Sequence, residues 1–256
     1  MINLDLLTQQ LLDHKEISPP LDCCRHPELN LVFYPLPKCA SSTYRQLFAK
    51  QKWNVIDIND IEWNKDTVFA HIKDPLVRHR KGIVEGIFTY FPEVKNFFLT
   101  PIGAKFLTNI TMVEAHSYTI HKWVGPENAA KVHWIPLDIG MDHKQITFDF
   151  LKKQGAPVSI ENQQQFLQFS NQNESTVDEL NLYNMLIAEE TPGEILRYID
   201  FDRCLYSQVI TFYKPEPDNY GARITQLINL GLPQEEAEIV ADKEVESNLH
   251  LHWNFN

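Results

Sequence analysis

The stretch LNLVFYPLPKCASSTYRQLFAK (residues 29–50) decides the expected fold. Its first part, 29–34, is apolar and rich in strand-forming side chains, and prolines follow directly, so it predicts a buried strand that leads into a loop. Residues 42–50 have the character of a helix. Strand-forming runs recur farther along, at 54–58, 67–72 and 132–137. This order of elements predicts an α/β fold with a central, mainly parallel β-sheet flanked by helices.

The rest of the chain is expected to be mostly helical and to belong to one domain. With 256 residues and 43% hydrophobic content, the chain can bury one substantial core, and no Gly/Ser-rich run marks a linker. We therefore predict a single domain over 1–256, with a helical N-terminal extension (1–28) and a C-terminal helix and tail (233–256). Helical patterns also cover 143–155 and 175–190.

The formal net charge of −11 argues against two classes of partner. Nucleic acids and anionic membranes both attract cationic surfaces, so neither is expected to bind. No apolar run approaches the roughly 18 residues of a membrane span, and the N-terminus lacks the basic lead of a signal peptide. A cytoplasmic location is the expectation.

Cysteines and histidines give no sign of a disulfide or a metal site. The 4 cysteines include the vicinal pair Cys23-Cys24 but no CxxC motif, so reduced thiols are expected. The 10 histidines show no persuasive spacing for metal ligands, and we expect no metal.

A short run between the first predicted strand and the helix has the chemistry of a phosphate-binding loop. Its small and hydroxyl-bearing side chains allow backbone N–H groups to close around an anion, and the helix N-terminus adds partial positive charge. Lys38 adds a full positive charge that can stabilise a leaving phosphate oxygen, so we predict it to be catalytic. The run is not a Walker A loop, because GxxxxGK[ST] is absent. Its members are Pro37, Lys38, Cys39, Ala40, Ser41, Ser42 and Thr43.

A second cationic segment, KDPLVRHRK (73–81), directly follows the strand candidate 67–72. Lysines and arginines concentrated after a strand, in an otherwise acidic chain, favour an anion site. The alternative is a solvated basic turn. The predicted ligands are Lys73, Arg78 and Lys81.

Both segments resemble motifs of the sulfotransferases that use 3′-phosphoadenosine-5′-phosphosulfate (PAPS). Residues 37–43 are similar to the Pro-Lys-x-x-Ser-[Ser/Thr] turn of the 5′-phosphosulfate loop. Residues 73–81 resemble the 3′-phosphate motif Arg-Asp-Pro-x-x-Arg-x-x-Ser, with Lys73 in place of its arginine and Lys81 in place of its serine. The resemblance implies a P-loop-like sulfotransferase fold, PAPS as co-substrate, the desulfated nucleotide PAP as product, and no metal.

Two further patterns are similar to the carbohydrate-sulfotransferase branch. HWIP (133–136) resembles its His-Trp-x-Pro element, and 198–206 resembles its closing helix with Tyr, Asp and Leu-Tyr. The polar run QFSNQNES (168–175) lies where that branch often has a loop over the nucleotide. The resemblance therefore also implies nucleotide contacts from Asn173 and Ser175.

Sulfuryl transfer needs a base for the acceptor proton. His116, in VEAHSYTIHKW, is the first candidate, and His71, on the last strand candidate before Lys73, is the second; Asp57 and Asp60 stay open. The acceptor is expected to be a hydroxyl of a carbohydrate or another small molecule, because a chain of net charge −11 repels long polyanions.

Two other functions stay open at this stage. A phosphotransferase related to P-loop kinases would require Mg²⁺, and the missing Walker glycines argue against it. A non-catalytic nucleotide-binding or interaction module would have kept the fold without the activity. The lysines at 73 and 81 are the argument for that alternative.

Overall fold

The computed structural model describes residues 7, 9–11, 21–138, 142–156, 175–213, 228 and 233–239. The chain divides into two compact units, 1–206 and 207–256. The first contains the sheet and every predicted site residue. The prediction of one domain over 1–256 stays a prediction.

Five short strands form one sheet. They are β1 (Asp22–Arg25), β2 (Leu31–Tyr34), β3 (Asn54–Asp57), β4 (Thr67–Ile72) and β5 (His133–Pro136). Their order across the sheet is β3-β1-β2-β4-β5. β2, β4 and β5 are parallel neighbours, whereas β1 runs antiparallel to both β2 and β3. All strands except β1 therefore point the same way, and the predicted mainly parallel α/β sheet is confirmed.

Helices of very different length flank the sheet. They are α1 (Ser41–Lys50), α2 (Pro75–Tyr90), α3 (Lys95–Phe98), α4 (Pro101–Thr108), α5 (Ile120–Val124), α6 (Pro126–Ala129), α7 (His143–Lys153), α8 (Val177–Ala188), α9 (Gly193–Tyr198) and α10 (Asp200–Tyr213). Two short 3₁₀ turns cover Ile58–Asp60 and Ala115–Ser117. Residues 234–239 are also helical, within the predicted C-terminal helix. None of the helices in the described ranges is long and apolar enough to cross a membrane.

One sequence-based assignment needs correction, and one alternative is excluded. The predicted helical extension over 1–28 contains β1, which owes its conformation to pairing with β2 and β3, partners that lie later in the chain. The segment 73–81 is not a solvated turn, because α2 begins at Pro75 and runs for 16 residues. Asp74 caps this helix by accepting a hydrogen bond from the Val77 N–H at 3.0 Å, and a proline in the first turn suits a helix start.

Two apolar clusters hold these elements together. One packs α1 and α7 onto the sheet through aromatic rings, with Phe33 of β2 and Phe69 of β4 5.3 Å apart between ring centroids. The other joins α2, α4 and α8, and it includes Leu7 and Leu11 near the N-terminus. β2 and α1, which flank the loop 35–40, both contribute to the first cluster, and the middle of α2 contributes to the second.

Candidate functional site

The carboxyl ends of three parallel strands bring the predicted anion-binding segments to one edge of the sheet. β2 ends at Tyr34 and leads into the loop 35–40, β4 ends directly before Lys73, and β5 ends shortly before Asp138. The Asp138 carboxylate accepts a hydrogen bond from the Asp74 N–H at 2.8 Å, which ties the last two ends together. Open α/β sheets bind ligands at this edge.

In the loop after β2, residues with buried side chains alternate with residues whose backbone is strained. Pro37 and Cys39 are buried, whereas the side chains of Lys38 and Ala40 are partly exposed. Lys38 (φ 63°) and Ala40 (φ 56°) adopt the left-handed conformation, which costs a residue with a Cβ atom about 1–2 kcal/mol. Strain of this kind is concentrated at ligand-binding sites.

The N-terminus of α1 opens from this loop. Ala40 is its N-cap residue and supplies no side-chain hydrogen bond to the first turn. Ser42 is exposed, Ser41 is half-buried and Thr43 is buried. Burial raises the pKa of Cys39 to about 12, so this thiol packs in the loop as a neutral side chain.

Lys38 and His116, two residues predicted to be catalytic, converge on Glu85 of α2. The Lys38 amine forms an ion pair with the Glu85 carboxylate. The His116 Nε2 lies 3.8 Å from the Glu85 Oε1. Burial lowers the pKa of Lys38 to about 8, while the carboxylates of Glu114 and Glu179 act in the opposite direction.

Glu114 contacts the other nitrogen of the same imidazole ring. Its two carboxylate oxygens lie 2.9 and 2.8 Å from the His116 Nδ1. The His116 backbone N–H also donates to this carboxylate at 2.9 Å. Glu114 is fully buried. The ring is therefore fixed between a buried carboxylate on one side and the Lys38–Glu85 pair on the other.

Two glycines of α2 allow this arrangement. A Cβ atom at Gly82 would lie 2.4 Å from the His116 carbonyl oxygen, and one at Gly86 would lie 2.9 Å from the Glu114 Cγ. Any larger side chain at these positions would push the segment that carries Glu114 and His116 away from α2. Small side chains thus place this segment beside Glu85.

Lys73 and Lys81 also come together at the start of α2. Burial, followed by the positive charge of the nearby Lys73 amine, lowers the pKa of Lys81. The Lys81 amine lies 5.4 Å from the centroid of the Tyr183 ring. Neither amine forms an ion pair with a carboxylate in the part of the chain that the structure describes. Lys81 also acts on the pKa of Lys38, so the three lysines share one electrostatic environment.

Arg78, the remaining predicted ligand of the basic segment, lies in the interior of the protein. It is fully buried and donates to the Asp202 carboxylate at 2.9 Å and to the Tyr118 carbonyl. The same carboxylate accepts from the Ile120 N–H at 2.8 Å. Tyr206 donates to Asp138 at 2.6 Å. The pattern 198–206, noticed separately in the sequence, therefore contacts the basic segment and holds it in place.

The other predicted residues lie elsewhere. His71 is fully buried, stacks on Tyr44 at 3.9 Å and contacts the Thr147 hydroxyl through its Nε2 at 2.8 Å. Burial lowers its pKa well below the ordinary value. Ser175 is exposed ahead of α8, and Asn173 lies outside the described residues.

The two alternative acidic bases have a local role at the far side of the sheet. Asp57 and Asp60 form the capping box of the 3₁₀ turn that follows β3. β3 is an edge strand, separated from β4 by β1 and β2. The side chains of Asp57 and Asp60 are thus engaged in capping, away from the carboxyl end of β4.

Sequence reasoning missed Glu85, Glu114 and Asp138. Glu85 follows Lys81 by four residues, and that spacing puts both on one helix face once α2 is recognised. Glu114 stands two residues before His116 and caps the 3₁₀ turn that contains this histidine, a turn that the sequence analysis did not predict. No group of His, Cys, Asp and Glu in the described ranges is arranged to hold a metal ion, and no disulfide joins the described cysteines, Cys23, Cys24, Cys39 and Cys204.

Comparison with known proteins identified no relative of this chain. No protein-family model, curated protein or solved structure is significantly similar to this chain. The function must therefore be argued from the site itself.

Proposed function

We propose that this chain is a PAPS-dependent sulfotransferase with a P-loop-like fold, which transfers a sulfuryl group to a hydroxyl of a carbohydrate or small molecule. The observation that carries the proposal is the convergence of Lys38, Lys73 and Lys81 near the carboxyl edge of parallel strands, beside a histidine held by a carboxylate. Three amines within an acidic protein form a local site for an anion with several phosphate charges.

The nucleotide has a defined place in this proposal. The 3′-phosphate binds to Lys73 and Lys81, whose mutual repulsion it relieves. The 5′-phosphosulfate binds at the loop 37–40 and the first turn of α1, where the backbone N–H groups and Lys38 face it. Arg78 acts as a positioning residue, because its guanidinium is buried against Asp202.

The proposed reaction is an in-line displacement at sulfur. The acceptor oxygen forms a bond to sulfur as the bond between sulfur and the 5′-phosphate oxygen breaks, and PAP leaves with the additional negative charge. His116 takes the acceptor proton on Nε2, and Lys38 stabilises the charge that develops on the leaving phosphate. Sulfur keeps its oxidation state, and positioning and electrostatics supply most of the rate, as in phosphoryl transfer.

In this proposal, binding of the nucleotide must replace an existing contact of Lys38. Its amine is engaged by Glu85, so binding of the phosphosulfate exchanges a carboxylate for a phosphate oxygen. Such an exchange keeps the ammonium compensated in both states. The released Glu85 carboxylate then lies next to the acceptor side of the site, near His116.

Transfer of ³⁵S from labelled PAPS tests this function. Purified protein is incubated without metal with neutral saccharides and small alcohols, and labelled acceptor and PAP are quantified together. We expect both in equal amounts, and a loss of at least about 100-fold in Lys38→Ala. Transfer of the γ-phosphate from Mg-ATP would support the kinase alternative. PAP binding with no turnover of PAPS would support the non-catalytic module.

A further inference from the structure

Hydrogen bonds to a buried carboxylate orient the His116 ring. Glu114 approaches Nδ1 with both oxygens, at 2.9 and 2.8 Å, and is itself fully buried. A carboxylate only accepts hydrogen bonds, so the proton at this contact belongs to Nδ1. In the neutral ring Nε2 then carries the lone pair, and it is this nitrogen that lies on the side of Glu85 and Lys38.

The backbone around Glu114 prevents the carboxylate from turning away. Glu114 caps the 3₁₀ turn 115–117, and the Ser117 hydroxyl donates to its carbonyl oxygen. The Val113 N–H donates to the same hydroxyl at 3.0 Å. Gly82 of α2 packs against the turn from the other side. These contacts hold the carboxylate against the ring.

We propose that Glu114 is the positioning residue that makes His116 an effective base. It keeps the imidazole in the Nδ1–H tautomer, turns Nε2 toward the point of transfer, and compensates the imidazolium that forms when Nε2 takes the acceptor proton. The proton on Nδ1 stays there throughout. This inference rests on the proposed sulfotransferase function, but the tautomer exists without nucleotide and is measured separately.

The test is ¹⁵N NMR of histidine-labelled protein, with the His116 signals assigned through His116→Gln. In the wild type we expect the proton on Nδ1 and the lone pair on Nε2. In Glu114→Gln we expect a mixture of tautomers, because an amide both donates and accepts. Glu127→Gln, a change at an exposed glutamate of α6, is the matched control and leaves the signals unchanged.

Turnover of PAPS provides the second readout. Glu114→Gln lowers kcat by about 100-fold while KM for PAPS stays unchanged, because the base is affected and the nucleotide site is not. A proton on Nε2 in the wild type overturns the proposal, and this result does not depend on how the variant folds. An unchanged tautomer and kcat in folded Glu114→Gln overturn it as well. Absence of any sulfuryl transfer by the wild type would overturn the proposed function, while the tautomer would still decide whether Glu114 controls His116.

Discussion

Gly82→Ala tests how closely α2 must approach the turn that carries His116. The new methyl group would lie 2.4 Å from the His116 carbonyl oxygen, 2.6 Å from its carbon and 2.7 Å from the Ser117 nitrogen. Ordinary contacts between such atoms are about 3.5 Å long, so the turn must retreat by about 1 Å. Overpacking costs about 1–3 kcal/mol, and the higher helix propensity of alanine returns about 1 kcal/mol. The free energy of unfolding is expected to fall by about 0–2 kcal/mol.

Turnover should fall far more than stability. Displacement of a catalytic group by about 1 Å can cost about 100-fold in rate, so we expect a loss of this size in kcat for PAPS turnover by Gly82→Ala. Gly86→Ala should lose less, because its closest neighbours, side-chain atoms of Val113 and Glu114, lie 2.8 and 2.9 Å away, a smaller overlap than the one at Gly82. Gly193→Ala is the control, since no atom lies within 4 Å of the added methyl group.

Urea denaturation and initial-rate measurements on the three variants decide the matter. The structure predicts the order Gly82, Gly86, Gly193 for the loss of turnover. A folded Gly82→Ala variant with the same kcat as Gly193→Ala would refute the inferred contact between α2 and the turn, and with it the placement of His116 beside Glu85.

Three other changes test the electrostatics of the site. Glu85→Gln removes the ion pair of the Lys38 amine, and a partly exposed ion pair is worth about 1 kcal/mol. PAP should therefore bind about five-fold more tightly to this variant in calorimetry, and weaker binding would contradict the account. Asp202→Ala leaves the buried Arg78 guanidinium without its carboxylate, so the free energy of unfolding measured in urea should fall by about 3–5 kcal/mol. The double change Arg78→Met/Asp202→Leu removes both charges and should recover much of this lost stability. Because the pKa of Lys38 is about 8, its amine is protonated below that pH, and PAP affinity should decline as pH rises through that value but stay level in Lys38→Arg. An equal decline in both proteins would show that another group titrates.

Local patterns were sufficient to predict the frame of the site. β4 spans the predicted 67–72, β2 and β5 lie within their predicted runs, and α1 begins one residue before the predicted 42. Buried parallel strands are continuous apolar runs, so they stand out in the sequence. The loop 37–40 was found because it joins two such recognisable elements.

Elements defined by distant partners could not be predicted in this way. β1 is only four residues long and is a strand because β2 and β3 pair with it. The helix α2 did have local signals, Asp74 and Pro75, but these same residues also end a strand.

Some side chains of the site were likewise predictable from local patterns, whereas others depend on distant parts of the chain. Lys73 and Lys81 were predicted as ligands from their own segment, and the charge of Lys73 acts on the pKa of Lys81, while their role as ligands stays a prediction. Glu85 reaches His116 only because the glycines of α2 let a later turn pack closely, whereas Glu114 contacts His116 within that turn. His71 looked available from its position beside Lys73, yet it is fully buried, because β4 is a central strand and is covered on both faces. No local pattern of the sequence encodes the contact between Glu85 and His116 or the burial of His71.

Calorimetric titration with PAP, compared with ADP, tests the nucleotide site most directly, because ADP lacks the 3′-phosphate. The protein should bind PAP without metal, in the micromolar range, and more tightly than ADP or Mg-ATP. Lys73→Ala and Lys81→Ala should abolish the preference for PAP over ADP, while Lys152→Ala, at an exposed position in the last turn of α7, should keep it. Equal affinity of the wild type for PAP and ADP, or a preference for Mg-ATP, would contradict the proposed site.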